Sequence, residues 1–504
     1  MAHDETRHDH ASDEHELARF GYTQELKRSL GLFSSFAVAF SYISPSTGIF
    51  ALFALGLSTI GGVFFWSWPI VAIGQFVIAL SFAELSSHIP VAGSVYQWSK
   101  HLSNRTQAWF TGWMYLFAGI LTVTAVAVTL PLALIPTLNG MGWHLANNLH
   151  NQRLVALVFM VAVTLLNVYG VKAVALINNV GVLFEILGMV VFAFILALFH
   201  NHQGVGVILK TGGTNGTVGL FLVAMFMSLF VIYGFDTAAT LAEETKNPRR
   251  EAPKAVLYSI VGAFIIGGIF IWAILMAIPG SLAGGVKSAL GPADVIDANF
   301  SNAFATTYLA VVSIAIFICL LSIQANVMRL CFSMARDDQL PGSSVLKTVS
   351  PRLHTPWVAC IVVTLIAAIP LLQYAGATYL AIAATGMIYL SYFLVGTAIL
   401  KARLNGWPTR EAPFKLGKWG IPASIGGLMW GGGMLINFAW PRAASNPTPA
   451  QTGNLLDFHW SWLNHRPVLW IVVIVIAGVG AAYFGLVQRQ KHAPASESVP
   501  VAML

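Results

Sequence analysis

The 504-residue chain is 57% hydrophobic and only 9% charged, with a mean hydropathy of +0.72. That composition excludes an ordinary soluble globular protein, and repeated apolar runs of about 17–28 residues predict an all-α polytopic membrane protein. The net charge of +7 follows the membrane and gives no sign of a nucleic-acid partner. Cys319, Cys331 and Cys360 fall in or beside apolar runs without metal or disulfide spacing, so buried thiols are expected, with no cofactor and no metal.

Residues 1–29 are polar, with His3, His8, His10 and His15 among acids. They read as a disordered, solvated cytoplasmic tail without a cleavable signal. Five spans are expected at residues 30–57, 62–88, 106–135, 153–169 and 175–199. Five more fall at 218–244, 254–278, 305–335, 356–372 and 379–400, and spans 11 and 12 at 420–440 and 467–487. This divides the chain into five-span units over 30–200 and 218–401, a further pair over 418–488, and a cytoplasmic tail at 489–504. With the N-terminus inside, 22 of the 27 lysines and arginines lie on the cytoplasmic side, which sets orientation and places both termini in the cytoplasm.

Two spans carry a break. Span 1 contains Ser44-Pro45-Ser46-Thr47-Gly48 at its centre, where Pro45 removes a backbone donor and Gly48 permits an unwound geometry. Span 6 meets Gly234-Phe235-Asp236 at bilayer depth, where an acid costs about 2.5–3.5 kcal/mol on insertion scales. These are the first members of the two five-span units, and an odd repeat inverts one unit relative to the other. Broken helices at corresponding positions of inverted halves mark a transporter's substrate site, because unwound backbone at that depth must line a cavity or be buried in protein. Free N–H groups near Ser46, Thr47 and Gly48 can hold a carboxylate. Free carbonyls at Tyr42, Ile43 and Ser44, and at Ile232 and Tyr233, can hold an ammonium group.

The stretches SPSTGI (44–49), FAELSSHIPVAGSVYQW (82–98), GFDTAATLAEETKNPRREAP (234–253) and ARDDQLP (335–341) together resemble the amino acid–polyamine–organocation (APC) superfamily of secondary transporters. The likeness runs over about residues 25–490 and looks most like the amino acid/choline branch. It implies ten core helices in two inverted repeats, two peripheral helices, and rocking between outward-open and inward-open states. By position it assigns Ser46, Thr47 and Gly48 to substrate carboxylate and the Ile43 and Ser44 carbonyls to amine. It assigns Phe230, Tyr233 and Phe235, beside Gly234, to a wall and aromatic gate, with Tyr115 a weaker candidate. The chain departs from the family in having SPSTGI where many relatives have a GSGI-type turn. It also has Glu185 on span 5 where sodium-independent relatives often carry a lysine.

Glu185 and Asp236 are the two carboxylates deep in spans. An acid in hydrocarbon is costly to ionise, which suits a group that gains and loses a proton, so proton symport is expected. The alternative is that Glu185 hydrogen-bonds a neighbouring helix and stays protonated throughout. Sodium coupling would draw on Ser322 and Gln324 of span 8. Glu84, Glu243 and Glu244, near Arg249, Arg250, Arg329 and Arg336, form either an intracellular gate or surface pairs.

No TVGYG-like filter argues for a channel. Neither HExxH nor GxSxG argues for an enzyme; His15-Glu16 comes nearest, with Arg19 where the second histidine belongs. The reading is a permease in the plasma or inner membrane, moving an amino acid or related amine such as γ-aminobutyrate, choline or a polyamine. An exchanger, a sodium-coupled carrier or a transporter-like nutrient receptor are the alternatives.

Overall fold

Backbone N–H and C=O groups in hydrocarbon must be satisfied within the chain, and long apolar runs do this as helices. The computed structural model describes residues 13–372, 377–440 and 468–490, and among them the architecture is all-α. Residues 13–19 are helical, and after them come α1 (Leu32–Ile43) and α2 (Pro45–Ile60), followed by α3 (Ser67–His88) and the short α4 (Ser94–Leu102). Next come α5 (Arg105–Gly140), α6 (Leu149–Tyr169) and α7 (Val171–Phe199). Then α8 (Val218–Val231) is followed by the single turn α9 (Thr237–Thr240) and by α10 (Pro248–Met276). Two short helices, α11 (Leu282–Ser288) and α12 (Pro292–Asn299), lead to α13 (Asn302–Arg336) and α14 (Ser343–Leu346). The remainder is α15 (Trp357–Leu372), α16 (Ala377–Leu404), α17 (Gly420–Ala439) and α18 (Val468–Leu486).

Eight described segments are long and apolar enough to cross a membrane, counting Leu32–His88 as one, and α8 and α15 are shorter apolar helices. The centre is built by α5, which runs along both α13 and α16, while α10 packs along α3 and α2 along α8. Around this core, α6 and α7 present Leu165, Phe184, Leu187 and Phe194 outward, the pattern of a lipid-facing wall.

Three departures from the sequence reading have clear causes. Span 6, expected over 218–244 with a break at 234–236, already stops at Val231 and resumes only as an α-turn at Thr237–Thr240 and a 3-10 turn at Ala242–Glu244. Span 7 begins at Pro248 rather than residue 254, because proline at the first turn of a helix forfeits no bond. Residues 13–29, expected as part of a disordered tail, are seated against the protein with Leu17, Phe20, Tyr22 and Leu26 buried. The earlier residues, with His3, His8 and His10, lie outside the described residues, as do residues 491–504 of the expected C-terminal tail.

Candidate functional site

The break in the first span is a single residue wide. Ser44 takes a left-handed conformation (φ 33°, ψ 83°), its N–H closing α1 on the Phe40 carbonyl at 2.7 Å. Pro45 then starts α2, and the Gly48 N–H bonds the Ser44 carbonyl at 3.2 Å. The side chains exposed by this turn converge on one acid from α7. Glu185 Oε1 accepts from Ser46 Oγ at 2.6 Å, Ser44 Oγ at 2.7 Å and the Ser46 N–H at 3.4 Å. Thr47 Oγ1 lies 2.7 Å from Ser44 Oγ and extends the cluster. Glu185 is buried, so its carboxyl sits where the N–H groups of α2 begin, a favourable place for an acid.

The second break is wider. The Ile232 N–H still reaches the Ser228 carbonyl at 2.9 Å, but Gly234 has φ 85° and the helix reforms only at Thr237. Asp236 stands at the head of that turn with its carboxyl fully committed. Tyr392 OH donates to Oδ1 at 2.5 Å, Tyr115 OH lies 2.8 Å from both oxygens, and Ser94 Oγ donates to Oδ2 at 2.9 Å. The Gly234 N–H donates to Tyr392 OH at 3.1 Å, and Thr240 Oγ1 to Ser94 Oγ at 2.9 Å. Asp236 thereby ties the broken helix to α4, α5 and α16. Tyr115 serves this acid and makes none of the bonds at the first break.

The breaks pack on each other reciprocally. A Cβ placed on Gly48 would overlap Val231 at the end of α8, and one on Gly234 would overlap the ring of Tyr42 at the end of α1. The Tyr42 and Tyr233 rings meet edge-on at 6.1 Å, and Phe230 meets Tyr233 at 5.9 Å. Tyr233 OH lies 3.2 Å from Thr122 Oγ1 of α5. Ile43, Ile232 and Thr47 are buried beside them, and none of these groups exceeds 5% exposure. Phe235 turns away from the first break and packs between Phe82 and Tyr392, at 5.9 and 5.6 Å. Ser322 bonds Asn178 at 2.6 Å, and Gln324 bonds Asn167, Thr164 and Thr364, so both are engaged in helix packing.

The sequence reading missed Tyr392, Ser94 and Thr122, whose hydroxyls come from elements distant in the chain. A tyrosine in each of two apolar spans was the available signal, since a buried phenol needs a partner.

The basic face is closed by buried ion pairs. Arg329 forks onto Glu244, with Nη2 to Oε2 at 2.9 Å, and Arg336 bonds Glu243 at 2.8 Å. Glu84 pairs with Arg403 and accepts the Leu416 N–H at 2.8 Å, a partner the sequence did not suggest. All three glutamates are at most 1% exposed, so surface pairing does not describe them. Arg249 reaches Glu16 at 3.3 Å and the Ser87 carbonyl at 3.1 Å.

Residues 30–458 match the model of the amino acid permease family. The chain belongs to that family. The permease is 27% identical over 498 residues to the amino-acid permease BAT1 homolog of Oryza sativa, covering 89% of this chain and 92% of that one. It is 29% identical to the branched-chain amino acid permease BcaP of Bacillus subtilis over 67% of this chain and 72% of that one. The crystal structure of MhsT in complex with L-phenylalanine superposes with a TM-score of 0.62 at 14% identity, over 82% of this permease and 99% of MhsT. The permease therefore shares that fold and, like its family, is an integral membrane protein and no enzyme.

Proposed function

We propose that this permease carries an amino acid across the cytoplasmic membrane by alternating access, coupled to protons, with both termini in the cytoplasm. In this reading it has twelve spans, and units 30–200 and 218–401 form the inverted repeats. The observation that carries the proposal is the convergence of Ser44 and Ser46 on Glu185 beside the reciprocal packing of the two breaks. A neutral Glu185 hydrogen-bonds this turn at little cost, whereas an ionised one held away from water is costly unless its donors stay in place. Opening the turn to either side disturbs those donors, so carboxyl charge and helix position are linked. Asp236, with hydroxyls from three other elements, serves as a clamp that holds the broken helix to its neighbours rather than as a second carrier.

The substrate's carboxylate is assigned to the Thr47 N–H and its ammonium to the Ile43 carbonyl, with Ile232 and Tyr233 opposite; the Gly48 N–H and the Ser44 carbonyl bond each other at 3.2 Å and join the site only when that bond opens. Phe230, Tyr233 and Tyr42 make the wall apolar and aromatic, which suits an apolar side chain. The similarity to the branched-chain amino acid permease BcaP of Bacillus subtilis points the same way. Leucine, isoleucine, valine and phenylalanine therefore head a thermal-shift screen of the purified protein that also includes γ-aminobutyrate, choline and polyamines. A substrate raises apparent stability by mass action, about 2.7 kcal/mol at a hundredfold excess over Kd. No shift with any amino acid would remove the substrate class.

A further inference from the structure

The segment before α1 carries more buried apolar surface than a tether needs. Leu17, Phe20, Tyr22, Leu26 and Leu30 are all at most 6% exposed. Along its course the segment engages two different parts of the basic face. On one side it pairs with the exit of the second broken helix. The Ser29 and Leu30 N–H groups both donate to the Glu244 carbonyl at 2.8 Å, and the Lys246 N–H donates to the Leu30 carbonyl at 2.8 Å. Gln24 Nε2 adds a bond to the Glu243 carbonyl at 2.9 Å, and Arg28 Nη1 one to the Thr245 carbonyl at 2.8 Å.

On the other side Tyr22 is pinned where α4 meets the end of α13. Its hydroxyl donates to Asp337 Oδ1 at 2.8 Å and accepts from Lys100 Nζ at 2.9 Å, while Lys100 also bonds Asp337 at 2.7 Å. Gln97 Nε2 and Tyr96 OH complete the cage, and the Arg336 guanidinium covers the Tyr22 ring at 3.8 Å. Arg336 is also the partner of Glu243, so the pin abuts one of the ion pairs that close this face. Phe20 meets His101 of α4 edge-on at 5.1 Å and extends the same seam.

We propose that residues 13–30 form a latch that holds the basic face shut and must release before the site opens on that side. The latch bridges the exit of the second broken helix and the junction of α4 with the end of α13, and it runs directly into α1, so it cannot stay seated on both while α1 moves away from α13. Its hold is made of charge-assisted bonds at Tyr22 and main-chain bonds at Glu244, which break together. A segment this polar in composition becomes a gate because its few apolar side chains are buried along its whole length, Leu17, Phe20 and Tyr22 in the main core, Leu26 against Ala92 and Phe332, and Leu30 against Val38 and Leu241. The inference rests on the alternating-access reading, but its test needs neither substrate nor gradient.

Cys319 supplies the probe. Its Sγ lies 3.5 Å from the Tyr42 carbonyl, at the contact between α13 and the end of α1, and it is buried in this state. Cys360, between α6 and α15, is the internal control, with Sγ 3.9 Å from the Thr164 carbonyl. The purified full-length protein is labelled with a small maleimide, and each cysteine is quantified by peptide mass spectrometry. Tyr22→Phe, which keeps the ring on Arg336, should raise the Cys319 labelling rate about tenfold, the size expected for losing bonds to charged partners, and Tyr22→Ala, which also removes the ring, should raise it further. Cys360 should stay at its wild-type rate. An unchanged Cys319 rate in a folded Tyr22→Phe protein overturns the latch. Equal increases at Cys319 and Cys360 overturn it too, because they mark general loosening. Amino acid uptake retained in either case would show that the latch alone has failed and the transport reading stands.

Discussion

Gly234→Ala is the sharpest local test of how the two breaks fit together. At φ 85° an L-residue with a Cβ is strained by about 1–2 kcal/mol. The added methyl would also enter the ring of Tyr42, which is 3% exposed and cannot swing into open space. Overpacking of that kind costs about 1–3 kcal/mol, so the two terms sum to about 2–5 kcal/mol. The assay is thermal survival of the detergent-solubilised protein by size-exclusion chromatography, run on a four-member cycle with Tyr42→Ala. Truncating Tyr42 relieves the overlap and leaves the backbone strain, so Gly234→Ala should be milder in the Tyr42→Ala background by about 1–3 kcal/mol. Additive effects would refute the packing of Gly234 against Tyr42. A Gly234→Ala protein as stable as wild type would refute the break itself.

Other groups test the closed basic face. Arg329→Met strands Glu244 in a site where both partners are nearly inaccessible, and should cost about 3–5 kcal/mol. Adding Glu244→Leu should recover most of that loss, read as the same thermal midpoint. His101 is pushed down to about 4, chiefly by burial and then by Lys100, with Asp337 opposing. Its folded value lies below the unfolded 6.5, so the unfolded chain binds the extra proton between them. Stability from this group is complete above pH 6.5 and falls as pH drops toward 4, by up to about 3 kcal/mol. His101→Phe should flatten that part of the stability–pH curve, and an unchanged slope would place the titration elsewhere.

The large features were legible because the bilayer imposes them. Apolar length gave the helices, and proline or glycine with an acid at hydrocarbon depth gave both breaks, since either feature is costly unless used. What could not be read was which distant groups meet. Nothing in the spacing of Ser44, Ser46 and Glu185 says that α7 delivers its acid to that turn, or that Tyr392 and Ser94 share Asp236. Such pairings depend on helix rotation, which a span of uniform hydropathy does not encode. The segment before α1 was misread for a different reason. Its acids and histidines dominate the composition, and Leu17, Phe20, Tyr22 and Leu26 are too few and too unevenly spaced to announce a buried face. Phe235 follows the same rule: an aromatic beside a break can point to either side of the helix, and here it faces Phe82 and Tyr392.

The central claim is that Glu185, held by Ser44 and Ser46 at the turn of the first span, carries the coupling proton. Its most direct test is uptake of a labelled amino acid by Glu185→Gln in proteoliposomes, with and without an inward proton gradient. Glutamine keeps a carbonyl oxygen to accept from both serines but cannot exchange a proton. Counterflow should persist while the gradient no longer raises uptake. Uptake by Glu185→Gln that still rises with the inward proton gradient would contradict it.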